Sequence, residues 1–231
     1  MIMKNVFSKI KYICAVPKSF LFCIKTLSFK DALKVPVLIG SGVKVFGCHK
    51  GSILFSEQPS MAMVRIGLWD GAGRNGYKKL TIINVDKGSS ITFGKNVVIA
   101  KDSRIRVMGG GQLILGNDFK GNYGLEVMCR EKITFGEDCL IAWNVTVADG
   151  DGHSLYMGGV DRNSNAPITV GKHVWLCAHS TLLKGAAIES GSVVGFGTLC
   201  NKKYEVEHAL IGGVPGKIIK TNVDWDITMR D

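Results

Sequence analysis

Proline is scarce, with five in 231 residues, and glycine is absent from the first 39 positions although 29 glycines follow. So little proline excludes a polyproline or collagen-like chain, and the glycine-free start marks off a first zone from the rest. Long apolar runs are missing too. The best early stretches, Tyr12 to Pro17 and Phe20 to Ile24, are separated by lysine and fall far short of the ~20 residues a membrane span requires. Nor is there one unbroken apolar stretch followed by small residues, as a secretory leader would show.

No Cys-x-x-Cys pair occurs among the seven cysteines at 14, 23, 48, 129, 139, 177 and 200. An odd, unpaired set speaks against a disulfide framework and reads as reduced core thiols of a cytoplasmic protein. Acidic residues are nearly missing from residues 1–50, which hold nine lysines and one aspartate, +8 of the formal +10. No helix-turn-helix, zinc-finger or RNA-binding aromatic pattern accompanies that charge, so no nucleic-acid partner is expected. A basic end suits an anionic membrane surface or an acidic polymer, and equally a plain solvated face. With 46% hydrophobic and 21% charged residues the chain has the composition of a folded protein, which excludes wholesale disorder.

What is present falls into two patterns. In residues 3–33 apolar positions such as Val6, Ile10, Ile13, Leu21, Ile24 and Leu27 recur at helical spacing around Pro17. This predicts two short basic amphipathic helices, a cap over residues 1–39 that leaves peripheral contact with the inner face of a membrane open. From about residue 90 a large apolar residue returns every sixth position: Phe93, Ile99 and Ile105; Leu115 alone; Phe135, Ile141 and Val147; then Val170, Leu176, Leu182, Ile188, Val194 and Cys200. Two positions earlier stands a small or β-branched residue, as at Val97, Ser103, Val145, Ser180 and Thr198. Inward positions two apart define very short strands. Gly or Ala often follows the large residue, as in Leu115-Gly116, Phe135-Gly136 and Ile141-Ala142, where a tight corner accepts little side chain. A period of six does not keep one side of an α-helix apolar, so the pattern predicts a parallel β-solenoid over 40–203 with a capping tail over 204–231.

The segments Pro167 to Leu176, Leu183 to Thr198 and Gly212 to Lys220 resemble the hexapeptide-repeat acyltransferases, the family of maltose, galactoside, serine and polysaccharide O-acetyltransferases. Strong matching covers roughly 130–220, and 40–90 match only as degenerate coils. The resemblance implies a mainly β fold, a left-handed parallel β-helix of three faces per coil, a homotrimer, and acetyl-CoA as co-substrate with no metal required.

Between Val147 and Val170 the repeat is broken by a polar excursion at 149–167 that contains Asp149, Asp151 and a single histidine, His153. Long loops in compact folds are commonly functional. An imidazole near its own pKa takes a hydroxyl proton well, and a carboxylate can fix its tautomer. In the resembled family a histidine on this loop is the general base for direct attack on the thioester, with no acyl-enzyme. That role maps to His153, with Asp151 as orienting carboxylate and Asp149 as its rival. His173 and His179 fall at outward positions, His49 and His208 have no supporting neighbours, and no set of three histidines suggests zinc.

By position in the family motif, Ala178 and Phe196 fall along the pantetheine arm of the donor, and Asn201, Lys202, Lys217 and Lys220 near its nucleotide end. Phe196 stands where a small residue is frequent and Asn201 where Thr is frequent. On the acceptor side Asn122 aligns near a sugar-contacting residue of the adjacent subunit. Trp143 and Tyr156, with Tyr123, offer a carbohydrate acceptor flat apolar faces. The activity the resemblance implies is O-acetylation of a sugar hydroxyl of a bacterial surface polysaccharide or its precursor. N-acetylation of an amino-sugar or antibiotic, or a non-catalytic binding solenoid, are the alternatives.

Overall fold

A computed structural model describes residues 2–71 and 80–227, with the side chains of the first helix described from Ile10 onward. The N-terminal zone is a single helix, α1 (Ile2–Thr26), that runs through Pro17, followed by the one-turn α2 (Phe29–Ala32) behind the N-cap Ser28. This differs from the expected pair of helices broken at Pro17. The tertiary contact explains the continuity: Ala15, Ser19, Phe22 and Cys23 are buried beneath the helix on both sides of the proline, and that packing outweighs one lost backbone bond. Val6 lies outside the described side chains.

Beyond α1 the chain winds through short strands that stack in parallel into three faces of nine, seven and seven strands. The face beginning at Val37–Ile39 is designated A, the one beginning at Val43–Phe46 is B, and the one beginning at Ile53–Phe55 is C. The sixfold apolar series becomes three buried columns. Phe93 pairs with Leu115, then Phe135, Val170 and Ile188 on face C. Ile99, Ile141, Leu176 and Val194 stack on face A, and Ile105, Val127, Val147, Leu182 and Cys200 on face B. All of them are buried.

Residues 40–90, expected to match only as degenerate coils, hold regular register: Val64 stands opposite Val37 and Val97, and Val43 opposite Thr81. Long corners spoil the six-residue count there while strand pairing is kept. The missing member near 121 has a similar cause. Gly121 occupies the inward slot of face A between Ile99 and Ile141, where a Cβ would meet Leu125 at 2.7 Å and the Phe119 ring at 3.2 Å. Phe119 fills that space and packs edge-on against Phe135 with centroids 5.1 Å apart.

Both ends of the solenoid are covered, which removes the exposed edges a parallel stack otherwise presents. On the first strand of face A the Ile39 N–H donates to Ser19 Oγ at 2.8 Å, and Lys18 Nζ donates to the carbonyls of Gly40, Ser41 and Val43. At the other end Leu210–Gly212 continues face A beyond the expected limit at 203, and Lys217–Lys220 closes it as an antiparallel strand.

Candidate functional site

The excursion at 149–167 leaves the edge between faces B and C after Thr146–Ala148, and its middle forms a small antiparallel hairpin, Tyr156–Met157 with Val160–Asp161. Its base is fixed by the backbone. Asp149 is fully buried, and its carboxylate accepts the N–H groups of Arg130 at 2.6 Å and Glu131 at 2.9 Å, while its carbonyl accepts Ala166 N–H at 3.0 Å. Asp149 therefore ties the two ends of the loop to the coil below. Within the hairpin Asp161 accepts N–H bonds from Leu155 and Asn163. Its carboxyl is held below the usual carboxylate range first by the Ser154 hydroxyl and then by the Asn163 N–H.

A second tie comes from the next coil. Lys184 Nζ lies 2.8 Å from Asp151 Oδ2 and also donates to Asn163 Oδ1, and the Asn163 amide donates to the carbonyl of His153. The imidazole of His153 is left exposed, with no hydrogen bond or ion pair to another described residue. The structure thus brings Asp151 to Lys184 and turns Asp149 toward backbone amides. In this chain neither carboxylate meets the His153 ring. Lys184 is the participant that sequence reasoning missed, and its position directly after the buried column residue Leu182 and Leu183 marked it only as a corner residue.

If the Lys184 bridge holds His153 in place, Lys184→Met should lower kcat about tenfold with little change in donor KM. Lys184→Arg should recover part of that loss, and steady-state kinetics of both variants check it.

Asn201 and Lys202 are exposed on the same B/C edge, two coils beyond the loop, and the Lys202 ammonium sits 5.6 Å from the Tyr204 ring centroid. Lys217 and Lys220 are exposed on the closing strand of face A. The other expected residues gather on a different edge, between faces A and B. There Trp143 stacks on Tyr123 with centroids 6.2 Å apart, and His179 tilts against the exposed ring of Phe196 at 5.1 Å. Asn122 and Ala178 are buried beneath this aromatic column, with Asn122 Oδ1 accepting the Tyr123 N–H at 2.8 Å. Tyr156 is exposed on the hairpin. Face B separates the two edges, so within one protomer His153 and the aromatic column stand at least roughly 10 Å apart, the span of a three-residue strand.

His173 and His179 occupy left-handed corner positions, φ +52° and +59°, matching Asn96, Asp118, Asp138 and Asn144 in neighbouring coils. Such positions favour short polar residues, and for His173 the place also serves packing. Its Nδ1 lies 2.7 Å from Asp138 Oδ2, its ring stacks on Trp225 at 4.3 Å, and Trp225 Nε1 donates to its carbonyl at 2.9 Å. Burial works against the charged ring, but the Asp138 hydrogen bond, the Trp225 carbonyl and the carboxylates of Asp138 and Asp224 together raise its pKa. A raised folded-state value adds stability that is complete below the ordinary histidine pKa of about 6.5 and is lost as pH rises through the folded value. Thermal unfolding across this window should show that loss, and His173→Asn should flatten it.

Four thiols of the solenoid are poor nucleophiles. Burial pushes Cys129 and Cys139 up to about 12 and Cys177 and Cys200 up to about 11, so none of these four is a thiolate near neutrality. Among the described residues no three metal-ligating side chains cluster, and no helix is long and apolar enough to cross a membrane.

Comparison with known proteins returns no match to a family model. The chain is 30% identical over 158 residues to the Escherichia coli (strain K12) protein WbbJ, assigned as a lipopolysaccharide biosynthesis O-acetyl transferase, which covers 62% of this chain and 80% of WbbJ. It is also 30% identical over 120 residues to the galactoside O-acetyltransferase of the same strain, across 51% of this chain but only 58% of that relative. Among solved structures, that of the polySia specific acetyltransferase NeuO superposes with a TM-score of 0.52 at 27% identity, covering 89% of this chain and 91% of NeuO. The likeness makes the solenoid a left-handed β-helix, against the right hand usual for parallel crossovers.

Proposed function

The chain belongs to the hexapeptide-repeat O-acetyltransferase family, and on that premise we propose that it transfers acetyl from acetyl-CoA to a sugar hydroxyl of a bacterial surface polysaccharide or its precursor. The names of the relatives support the acceptor class, since lipopolysaccharide, galactosides and polysialic acid all carry sugar hydroxyls. The observation that carries the chemistry is the His153 imidazole, left unengaged on a loop tied down by Asp149 and Lys184.

In the proposed step His153 takes the acceptor hydroxyl proton as the oxygen attacks the thioester carbonyl carbon. The tetrahedral adduct then collapses, the carbon–sulfur bond breaks, and the departing thiolate receives the proton from the imidazolium. No covalent enzyme intermediate is needed, consistent with the elevated thiol pKa values. Asp151 acts through Lys184 on the loop rather than on the ring. Lys202, Lys217 and Lys220 supply exposed cations for the donor phosphates. Ala178, Phe196 and Asn201 border the donor groove, while Asn122, Trp143 and Tyr156 border the acceptor.

Face B separates the edge that carries His153 from the edge that carries the aromatic column, so a complete site needs the B/C edge of one copy beside the A/B edge of another, which a homotrimer provides. The free thiols suit a reducing compartment, and the proposal places the enzyme in the cytoplasm. Incubation with acetyl-CoA and a panel of glycans, followed by mass spectrometry, tests the reading. One alkali-labile acetyl ester per modified sugar is expected. Alkali-stable acetyl groups on amino-sugars alone, or no transfer to any acceptor, would overturn it.

A further inference from the structure

α1 is apolar on two opposite sides. One side, carrying Ala15, Ser19, Phe22, Cys23 and Thr26, is buried on the first coil. On the far side Ile10, Ile13, Pro17 and Leu21 recur at spacings of three, four and four residues and face solvent, with Ile13 69% and Leu21 70% exposed. Phe29 and Leu33, exposed at 68% and 57%, are further bare apolar side chains on α2 and its C-cap. A helix that needs only one contact has a polar outer face, and this one does not.

Charge identifies the occupant. The lysines at 4, 9, 11, 18, 25, 30, 34, 44 and 50 face a single acidic residue, Asp31, in the same stretch. Lys25 and Lys30 make no hydrogen bond or ion pair among the described residues, whereas Lys18 is folded onto backbone carbonyls and Lys34 lies 3.6 Å from Asp31. A second copy docking through the same face would set this positive charge against itself. An anionic surface with an apolar interior satisfies both features. We propose that the outer face of α1 lies in the headgroup layer of an anionic lipid bilayer, with Ile10, Ile13, Pro17 and Leu21 inserted and Lys25 and Lys30 on the phosphates.

The lysines at 11, 18 and 25 divide the helix, so it lies flat rather than crossing. Since α1 closes the first coil and the loop at 149–167 leaves the fifth strand level of face B, four strand spacings would stand that loop roughly 20 Å above the first coil. Docking does not depend on the transfer chemistry.

Sedimentation of the full chain with vesicles tests the proposal. Vesicles of phosphatidylcholine and phosphatidylglycerol should bind it, and phosphatidylcholine alone should bind far less. The double variant Ile13→Glu with Leu21→Glu should reduce partitioning roughly a hundredfold without moving the melting temperature, because both side chains are exposed. Lys25→Gln with Lys30→Gln should reduce it about fivefold per lysine, and added salt should act in the same direction, so charge is read independently of the apolar stripe. No binding to anionic vesicles, equal binding to both kinds, or undiminished binding by the glutamate variant would overturn it. So would a change of oligomeric mass in that variant by light scattering, which would make the occupant a second copy.

Discussion

His153→Ala should give a folded protein whose kcat/KM for acetyl transfer is lower by between about a hundredfold and ten-thousandfold, the range lost with a general base. The fold does not depend on this ring, since its imidazole makes no bond to another described residue and the loop is held by Asp149, Asn163 and Lys184. Melting temperature and acetyl-CoA binding by calorimetry should therefore be unchanged. Turnover within a few fold of the unsubstituted enzyme would remove His153 from the mechanism. The same variant also probes whether the site is shared between copies. Trp143→Ala, on the A/B edge, should impair acceptor use, and co-assembly of the two impaired chains should restore activity above either alone. Hybrid assemblies would then contain some sites with an intact B/C edge from one chain and an intact A/B edge from the other. Failure to recover would place both edges' functions within one protomer.

The solenoid was legible from residue 90 because its signal is a one-dimensional count: one large inward residue per strand at a fixed step of six. Where a corner gains residues the count fails although the stacking persists, which is why the coils at Val37–Ile66 were blurred and Gly121 went unseen. The loop was legible as a polar interruption, and His153 as its one imidazole. The partners of Asp151 and Asp149 were not, because they come from other coils: Lys184 from the coil after, Arg130 and Glu131 from the coil before. Spacing along the chain carries no information about which corner residue lies above another. Likewise Trp225 read only as part of a tail, since its stacking on His173 spans a large sequence separation. The continuity of α1 through Pro17 was hidden for the same reason, as the first coil beneath it decides the matter.

Gly136→Val should destabilise the fold by at least about 3 kcal/mol, at the upper end of overpacking costs. The corner between faces C and A carries a column of glycines, Gly94, Gly116, Gly136 and Gly171, each directly after a buried column residue. A Cβ on Gly136 would lie 2.7 Å from both the carbonyl carbon and oxygen of Gly171 and 2.8 Å from the nitrogen of Lys172. These are backbone atoms of the next coil, so no rotamer change relieves the overlap and the strand spacing itself would have to open. The column stops where the geometry relaxes: beyond Ile188 the following corner carries one residue more, and position 189 is Glu. The edge between A and B takes either residue, with buried Ala100 and Ala142 but also Gly40, Gly67 and Gly195 directly after the large residue. The unbroken glycine run from Gly94 to Gly171 therefore belongs to the C/A corner alone. For a chain of this size the predicted loss corresponds to a fall in melting temperature of about 6–12 °C. Gly42→Ala is the matched control, because a Cβ there meets nothing within 4 Å, and it should melt with the unsubstituted protein. If Gly136→Val also did so, the coils would not be packed backbone to backbone at this corner, and the glycine column would need another cause.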